Sequence, residues 1–165
     1  MTTVTPIVLY VEDEEIDRFF MTRAFETEAF GASLRLVNDG QAAIDYLSGS
    51  GDYADRVRYP LPAVVLLDLN MPGVHGFEVL KWIRTQRAHS ALPVVIFSSS
   101  DREDDQARAR LLGANGFVKK PNSGLSFQDV ARKLKEQWLN ATAGWPISEL
   151  YSSSSSTSNR SDRVV

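Results

Sequence analysis

Along the chain, short apolar runs alternate with stretches whose apolar residues recur every three or four positions. The runs at 7–11, 34–37, 63–67, 94–97 and 116–118 are close to continuous in Val, Ile, Leu and Phe, as expected of strands buried on both faces. Helical spacing appears at 15–29, 41–47, 76–87, 103–112 and 127–139. The last segment is the clearest: Phe127, Val130, Ala131, Leu134 and Trp138 form one stripe, with Lys133, Lys135 and Glu136 facing water. Ser126 is its expected N-cap, with Asp129 as the partner acid.

Strand and helix in alternation point to a parallel sheet, because parallel strands need long crossovers and those crossovers are right-handed. The predicted fold class is α/β: a doubly wound, five-stranded parallel sheet with five helices, for which the strand order 2-1-3-4-5 is assumed. The connection 49–62, GSGDYADRVRYPLP, is longer and more polar than such links usually are and is expected to be a surface loop. After position 139, Trp145, Pro146, Ile147, Leu150 and Tyr151 are still apolar, but 152–158 is a serine-rich tract unable to bury surface. The expected organisation is one domain over 1–142 and a C-terminal extension over 143–165 with a disordered tail. The apolar part of that extension suits either a packed tail or an arm across a dimer partner.

Composition narrows the function classes. A chain of 165 residues with 43% hydrophobic residues closes one core. Eighteen basic against 21 acidic residues give a formal charge of −3, with no long block of one sign, so nucleic acid and membrane are not expected partners. There is no cysteine, which excludes disulfides and thiol chemistry. The N-terminus has no basic region followed by an apolar one, and no apolar run approaches the roughly 18 residues of a membrane span. A soluble cytoplasmic protein is the expectation.

Doubly wound sheets bind ligands beyond the carboxyl ends of their strands, where the order reverses. Glu12 and Asp13 follow the first strand and Asp68 closes the third, so the assumed order brings these acids into one crevice. Like charges about 4 Å apart repel by roughly 4 kcal/mol at an effective dielectric of 20, so such a cluster calls for a cation or a proton. An all-oxygen ligand set points to Mg2+, with Asp13, Asp68 and the backbone carbonyl of Asn70 as candidate ligands. Ser98, Ser99 and Ser100 follow the fourth strand; Lys119, Lys120 and Pro121 follow the fifth. Singly, paired acids at a strand end are often turn caps, serine runs loops and paired lysines solvated surface. Their common position makes them a set: an attacking carboxylate, a metal, a hydroxyl and an ammonium, the parts of phosphoryl transfer by positioning and charge. His75 and His89 are expected to be surface residues, since their spacing makes no metal site.

VEDEE at 11–15, LLDLNMPG at 66–73, PVVIFSSS at 93–100 and GFVKKP at 116–121 resemble the receiver domain of two-component response regulators, a flavodoxin-like fold, over 7–139. The resemblance implies a phosphoacceptor switch rather than an enzyme, one that assists its own phosphorylation and dephosphorylation. Asp68 would be the phosphorylated residue, Glu12 and Asp13 the acidic pocket around Mg2+, Ser98 the switch hydroxyl, Lys120 the phosphate-binding lysine and Phe117 the aromatic switch residue. Asn70 and Ser100 match positions that tune loss of the phosphoryl group, and Lys120–Pro121 matches the family's cis peptide. The donor would be a sensor histidine kinase or a phosphotransfer protein. The long 49–62 connection and the ending KLKEQWL resemble single-domain regulators paired with bacterial phytochromes, implying a bacteriophytochrome kinase and a homodimer through the fourth-helix to fifth-helix face. Two other readings compete with this one. A Mg2+-dependent aspartyl-phosphate phosphohydrolase expects an acid two residues beyond the nucleophile, where this chain has Asn70. A phosphate-silent interaction module would have no need of the intact Asp13, Asp68, Ser98 and Lys120 set.

Overall fold

The computed structural model describes the backbone of residues 5–27, 31–122 and 124–139. Strands β1 (Ile7–Val11), β2 (Ser33–Val37), β3 (Val64–Leu67), β4 (Val94–Ser98) and β5 (Gly116–Lys119) pair in parallel in the order β2-β1-β3-β4-β5. Helices α1 (Glu15–Thr27), α2 (Gly40–Ser48), α3 (Gly76–Thr85), α4 (Glu103–Leu111) and α5 (Gly124–Leu134) cover the sheet. The assumed order is therefore the observed one. No helix among the described residues is long and apolar enough to cross a membrane.

Strand residues alternate between two cores, as a pleated sheet buried on both faces requires. Leu9, Val11, Val65, Leu67, Val94 and Ile96 pack with residues of α2, α3 and α4, including Tyr46, Leu80 and Ala109. Val8, Tyr10, Val64, Leu66, Val95 and Phe97 pack with α1 and α5, including Met21, Phe25, Phe127 and Leu134. Both cores end at the same rim, because every strand is parallel and every strand stops at one side.

The 49–62 connection is the expected surface loop, with some packing of its own: a 3-10 turn at Gly51–Tyr53 brings Tyr53 against Tyr46, with Tyr59 packed on both at ring separations of 5.1–6.0 Å. Arg56 donates to the carbonyl oxygens of Tyr46 and Leu47, satisfying the end of α2 where Gly49 turns left-handed at φ 70°. Two other expectations need correction. Helix α5 starts at Gly124, so Ser126 lies inside it and is not its cap. The apolar stripe begins only where the helix meets the core, and Gly124 precedes it because its bare Cα lies against the Phe20 ring of α1. Finally, the α-helical pattern stops at Leu134 and widens into a π-helical turn at Lys135–Leu139. The side chain of Trp138 and all of the 143–165 extension lie outside the described residues.

One contact sets how closely the sheet rim can be approached. Gly76 opens α3 directly behind the end of β3; a Cβ there would collide with the Asp68 carbonyl oxygen and come within 2.7 Å of the Leu69 Cα. Its N–H donates to the Leu69 carbonyl at 3.1 Å, folding the 69–75 loop back over the strand end. Both obstacles are backbone, so neither can rotate away. Gly76→Ala is therefore expected to lose about 1–3 kcal/mol of stability, the usual cost of overpacking. A lower urea midpoint with an unchanged slope would show it; an unchanged midpoint would mean that α3 can shift freely.

Candidate functional site at the strand ends

At the rim, β1 and β3 are neighbours with Val11 opposite Leu67, so the residues that follow them, Glu12 and Asp68, are forced together. The Asp68 N–H donates to the Val11 carbonyl and the Glu12 N–H to the Val37 carbonyl, each at 3.1 Å. These bonds carry the ladder one residue past each strand and fix where both side chains start. Glu12, Asp13 and Asp68 each offer a carboxylate oxygen, and these oxygens lie within 4.8 Å of one another. Glu12 and Asp68 are buried, Asp13 half-buried.

Lys120 enters from β5. Its backbone N–H donates to the Ser98 carbonyl at 2.8 Å, anchoring the stem between the last two strands. The ammonium reaches Glu12 Oε2 at 2.6 Å, Asp17 Oδ2 at 2.8 Å and Asp68 Oδ2 at 3.5 Å. Lys120–Pro121 is trans, since the described chain contains no cis peptide, which corrects the expectation from the family resemblance. Trans is also the lower-energy isomer, and the ammonium arrives among the acids without the cis bond.

Burial raises the pKa of Glu12 to about 7, with the Asp68 charge adding to it and the Lys120 hydrogen bond opposing it. Burial likewise raises Asp68, while Lys120 and the backbone N–H groups of Asn70 and Leu69 pull it back. For Lys120, burial lowers the pKa, but the hydrogen bonds to Asp17 and Glu12 outweigh it and the ammonium is held charged. Tyr10, buried below the cluster, donates its hydroxyl to Glu12 Oε2 at 3.1 Å, and burial raises its pKa too. The pocket thus holds more negative charge than one ammonium balances.

The donor set fits a divalent cation. Asp13 Oδ1 is buried and has no hydrogen-bond partner, an expensive condition for a carboxylate oxygen unless a cation satisfies it. Oxygen-only ligands suit Mg2+ or Mn2+. Asn70 is exposed in the loop beyond Asp68, with its backbone N–H on the Asp68 carboxylate.

The remaining residues of the predicted set have partners of their own. Ser98 ends β4 fully buried, and its Oγ accepts from the Ser100 N–H at 3.2 Å. Ser100 in turn donates its hydroxyl to Asp105 Oδ2 of α4 at 2.6 Å. Phe117 does not join the acids: it is buried in the core that holds Ala109 of α4. His75 caps α3, its Nδ1 accepting from the Phe77 N–H at 3.1 Å, and His89 lies beside Trp82; among the described residues, neither belongs to the group of Glu12, Asp13 and Asp68 that could share a metal. Three participants were not singled out from the sequence. Tyr10 reads as core, Asp17 as an ordinary acid in a first helical turn, and Arg18, whose guanidinium donates to the carbonyls of Glu12 and Asp13 at 2.9 and 3.0 Å, as surface. For Asp17 and Arg18 the available signal is their spacing from Asp13, in the first turn of the helix that starts at Glu15; for Tyr10 it is a place two residues before Glu12 on the same strand.

A family model described as the response regulator receiver domain matches residues 8–132. The probable methanogenesis regulatory protein FilR2 of Methanothrix harundinacea is 39% identical over 145 residues, 84% of this chain and 84% of its own length. The phosphorylated cyanobacterial phytochrome response regulator RcpA has a TM-score of 0.78 at 28% identity, covering 85% of this chain and 98% of that one. The bacteriophytochrome response regulator RtBRR reaches 0.68 at 34% identity, with 88% and 87% covered. The Mn2+-bound form of response regulator Rcp1 reaches 0.75 at 28% identity, with 86% and 99% covered.

A cation that relieves the carboxylates should stabilise the folded chain in proportion to RT ln(1 + [L]/Kd), about 2.7 kcal/mol at a hundredfold excess over Kd. Mg2+ or Mn2+ is expected to raise the thermal midpoint, chelation to reverse it, and Asp13→Asn to remove most of the rise. Equal midpoints with and without metal in the wild type would count against a cation site here.

Proposed function

Because this chain belongs to the response-regulator receiver family, we propose that it is a phosphorelay switch that takes a phosphoryl group onto Asp68 from a sensor histidine kinase or phosphotransfer protein. The observation that supports this most is the gathering of the Asp68 carboxylate, the unpartnered Asp13 oxygen and the Lys120 ammonium at the ends of β1, β3 and β5, with Ser98 closing β4 between β3 and β5.

In this reading an Asp68 oxygen attacks the phosphorus, the bond from phosphorus to the donor nitrogen breaks, and the donor keeps the electron pair. Asp13, Asp68 and the Asn70 carbonyl would hold Mg2+, with Glu12 completing the acidic pocket, and the cation would supply positive charge against the charge that builds up on the phosphoryl oxygens. Ser98 and Lys120 supply the hydroxyl and the ammonium for the remaining oxygens. Asn70 and Ser100 flank the phosphoryl group and tune its loss.

Charge is the trigger. If the Ser98 hydroxyl turns toward a phosphoryl oxygen, it gives up the Ser100 N–H, and Ser100 is tied to Asp105 in the first turn of α4. Phe117, already buried beside Ala109, is the aromatic residue against which α4 repacks. The output is protein contact rather than chemistry on a substrate. We assign a homodimer to the α4–α5 side, where Leu111 is 88% exposed. The phytochrome and bacteriophytochrome regulators among the similar structures favour a bacteriophytochrome as donor kinase, and a cytoplasmic location goes with that donor. The receiver domain is assigned to 1–142, and 143–165 to a C-terminal extension with a Ser-rich tail.

Acetyl phosphate with Mg2+ is expected to add a single phosphoryl mass to the wild-type chain and none to Asp68→Asn, read by intact-protein mass spectrometry. Addition to neither, together with failure to bind beryllium fluoride, would favour a phosphate-silent module.

A further inference from the structure

Lys120 is shared unequally among three carboxylates. Charged N–H···O hydrogen bonds are shortest at about 2.7–2.9 Å, and an ammonium has three N–H groups to give. At 2.6 and 2.8 Å, Glu12 and Asp17 hold the ammonium; at 3.5 Å, Asp68 is an ion-pair neighbour. Glu12 and Asp68 have parts in the proposed chemistry. Asp17 has none so far.

An acid in the first turn of a helix is ordinary, since it offsets the positive end of the helix dipole, and for that purpose it can stay in water. Asp17 instead turns inward from α1 onto a residue 103 positions away. Its side chain is only 21% exposed and the ammonium it meets only 10%. A pair this well covered is screened less than a surface one. The Lys120 stem is fixed at its base by the bond to Ser98, so the position of the ammonium is decided by which carboxylates hold its far end.

We propose that Asp17 is a positioning residue that holds the Lys120 ammonium on the α1 side of the cleft, off Asp68, until a phosphoryl group arrives. Held there, Lys120 leaves the Asp68 carboxylate open to the cation and to phosphorus. A phosphoryl group on Asp68 outbids Asp17 by its greater charge, and the ammonium crosses over. The inference rests on the receiver reading for its purpose, but its first consequence concerns the cation alone. Without Asp17 the ammonium moves onto Asp68 and competes with the metal for it.

The test is calorimetric titration of the full chain with Mg2+ alone. Asp17→Asn is expected to raise the Mg2+ Kd by about three- to tenfold, and Asp17→Ala to act in the same direction. Asp17→Glu should return it to within about twofold of wild type. In a Lys120→Gln background the Asp17→Asn step should shrink to less than about twofold, because coupled residues are non-additive. An unchanged Kd in Asp17→Asn and Asp17→Ala would overturn the inference. So would a loss that persists in full in the Lys120→Gln background, which would mean that Asp17 acts on the metal by its own charge. Acetyl phosphate labelling separates the two levels: if wild type binds Mg2+ but is neither labelled nor able to bind beryllium fluoride, the phosphoacceptor reading fails while the titration still decides the role of Asp17. A wild type that binds no Mg2+ overturns both.

Discussion

The crowding of carboxylates at the ends of β1 and β3 is the constraint around which the rest of this molecule is arranged. Two adjacent parallel strands deliver Glu12 and Asp68 to the same rim, and Asp13 adds a third acid within 4.8 Å. Burying such a cluster costs several kcal/mol in desolvation and repulsion unless it is compensated. Lys120 compensates part of it, Tyr10 and the backbone N–H groups of Glu14, Leu69 and Asn70 another part. The remainder is a standing demand for positive charge, visible in the unpartnered oxygen of Asp13. In the proposed reading, a pocket that holds Asp68 beside an ammonium suits the charge that builds up in phosphoryl transfer.

The scaffold makes this frustration tolerable. Both faces of the sheet are sealed by apolar cores, so the strand ends can be held rigid while bearing unfavourable charge. Gly76 keeps α3 close behind Asp68, and Arg18 grips the carbonyls of Glu12 and Asp13 from α1. Helices α1 and α3 therefore have direct mechanical lines to the pocket. The chain Ser98, Ser100, Asp105 gives α4 such a line through hydrogen bonds alone, and the Asp17 carboxylate gives one to α1.

Much of this was legible beforehand, for definite reasons. Val8, Leu9, Tyr10 and Val11 in a row, and Val64 to Leu67 likewise, announce strands covered on two sides, and one acid immediately after each announces a charged rim. Local pattern falls short where neighbours decide. The packing of Tyr53 and Tyr59 within the surface loop is not legible there, because its few apolar groups serve a core only in combination with Tyr46 and Arg56. Ser126 looked like a cap because the stripe of α5 begins there, although the helix starts earlier against Phe20. The Lys120–Pro121 bond is trans, a choice between isomers separated by about 0.5–1 kcal/mol and so made by context.

Periodicity and residue type are local properties of a chain, and they suffice to read the α/β class, the five strands and the residues at the strand ends. The placing of β1 beside β3, the shortest contacts of Lys120 going to Glu12 and Asp17 rather than to Asp68, and the support that Tyr10 and Arg18 give the acids come from the fold. The Lys120 contacts relate residues more than a hundred positions apart. They are set by how helices pack on a twisted sheet and by which buried charges must be neutralised together, and no window of sequence contains them.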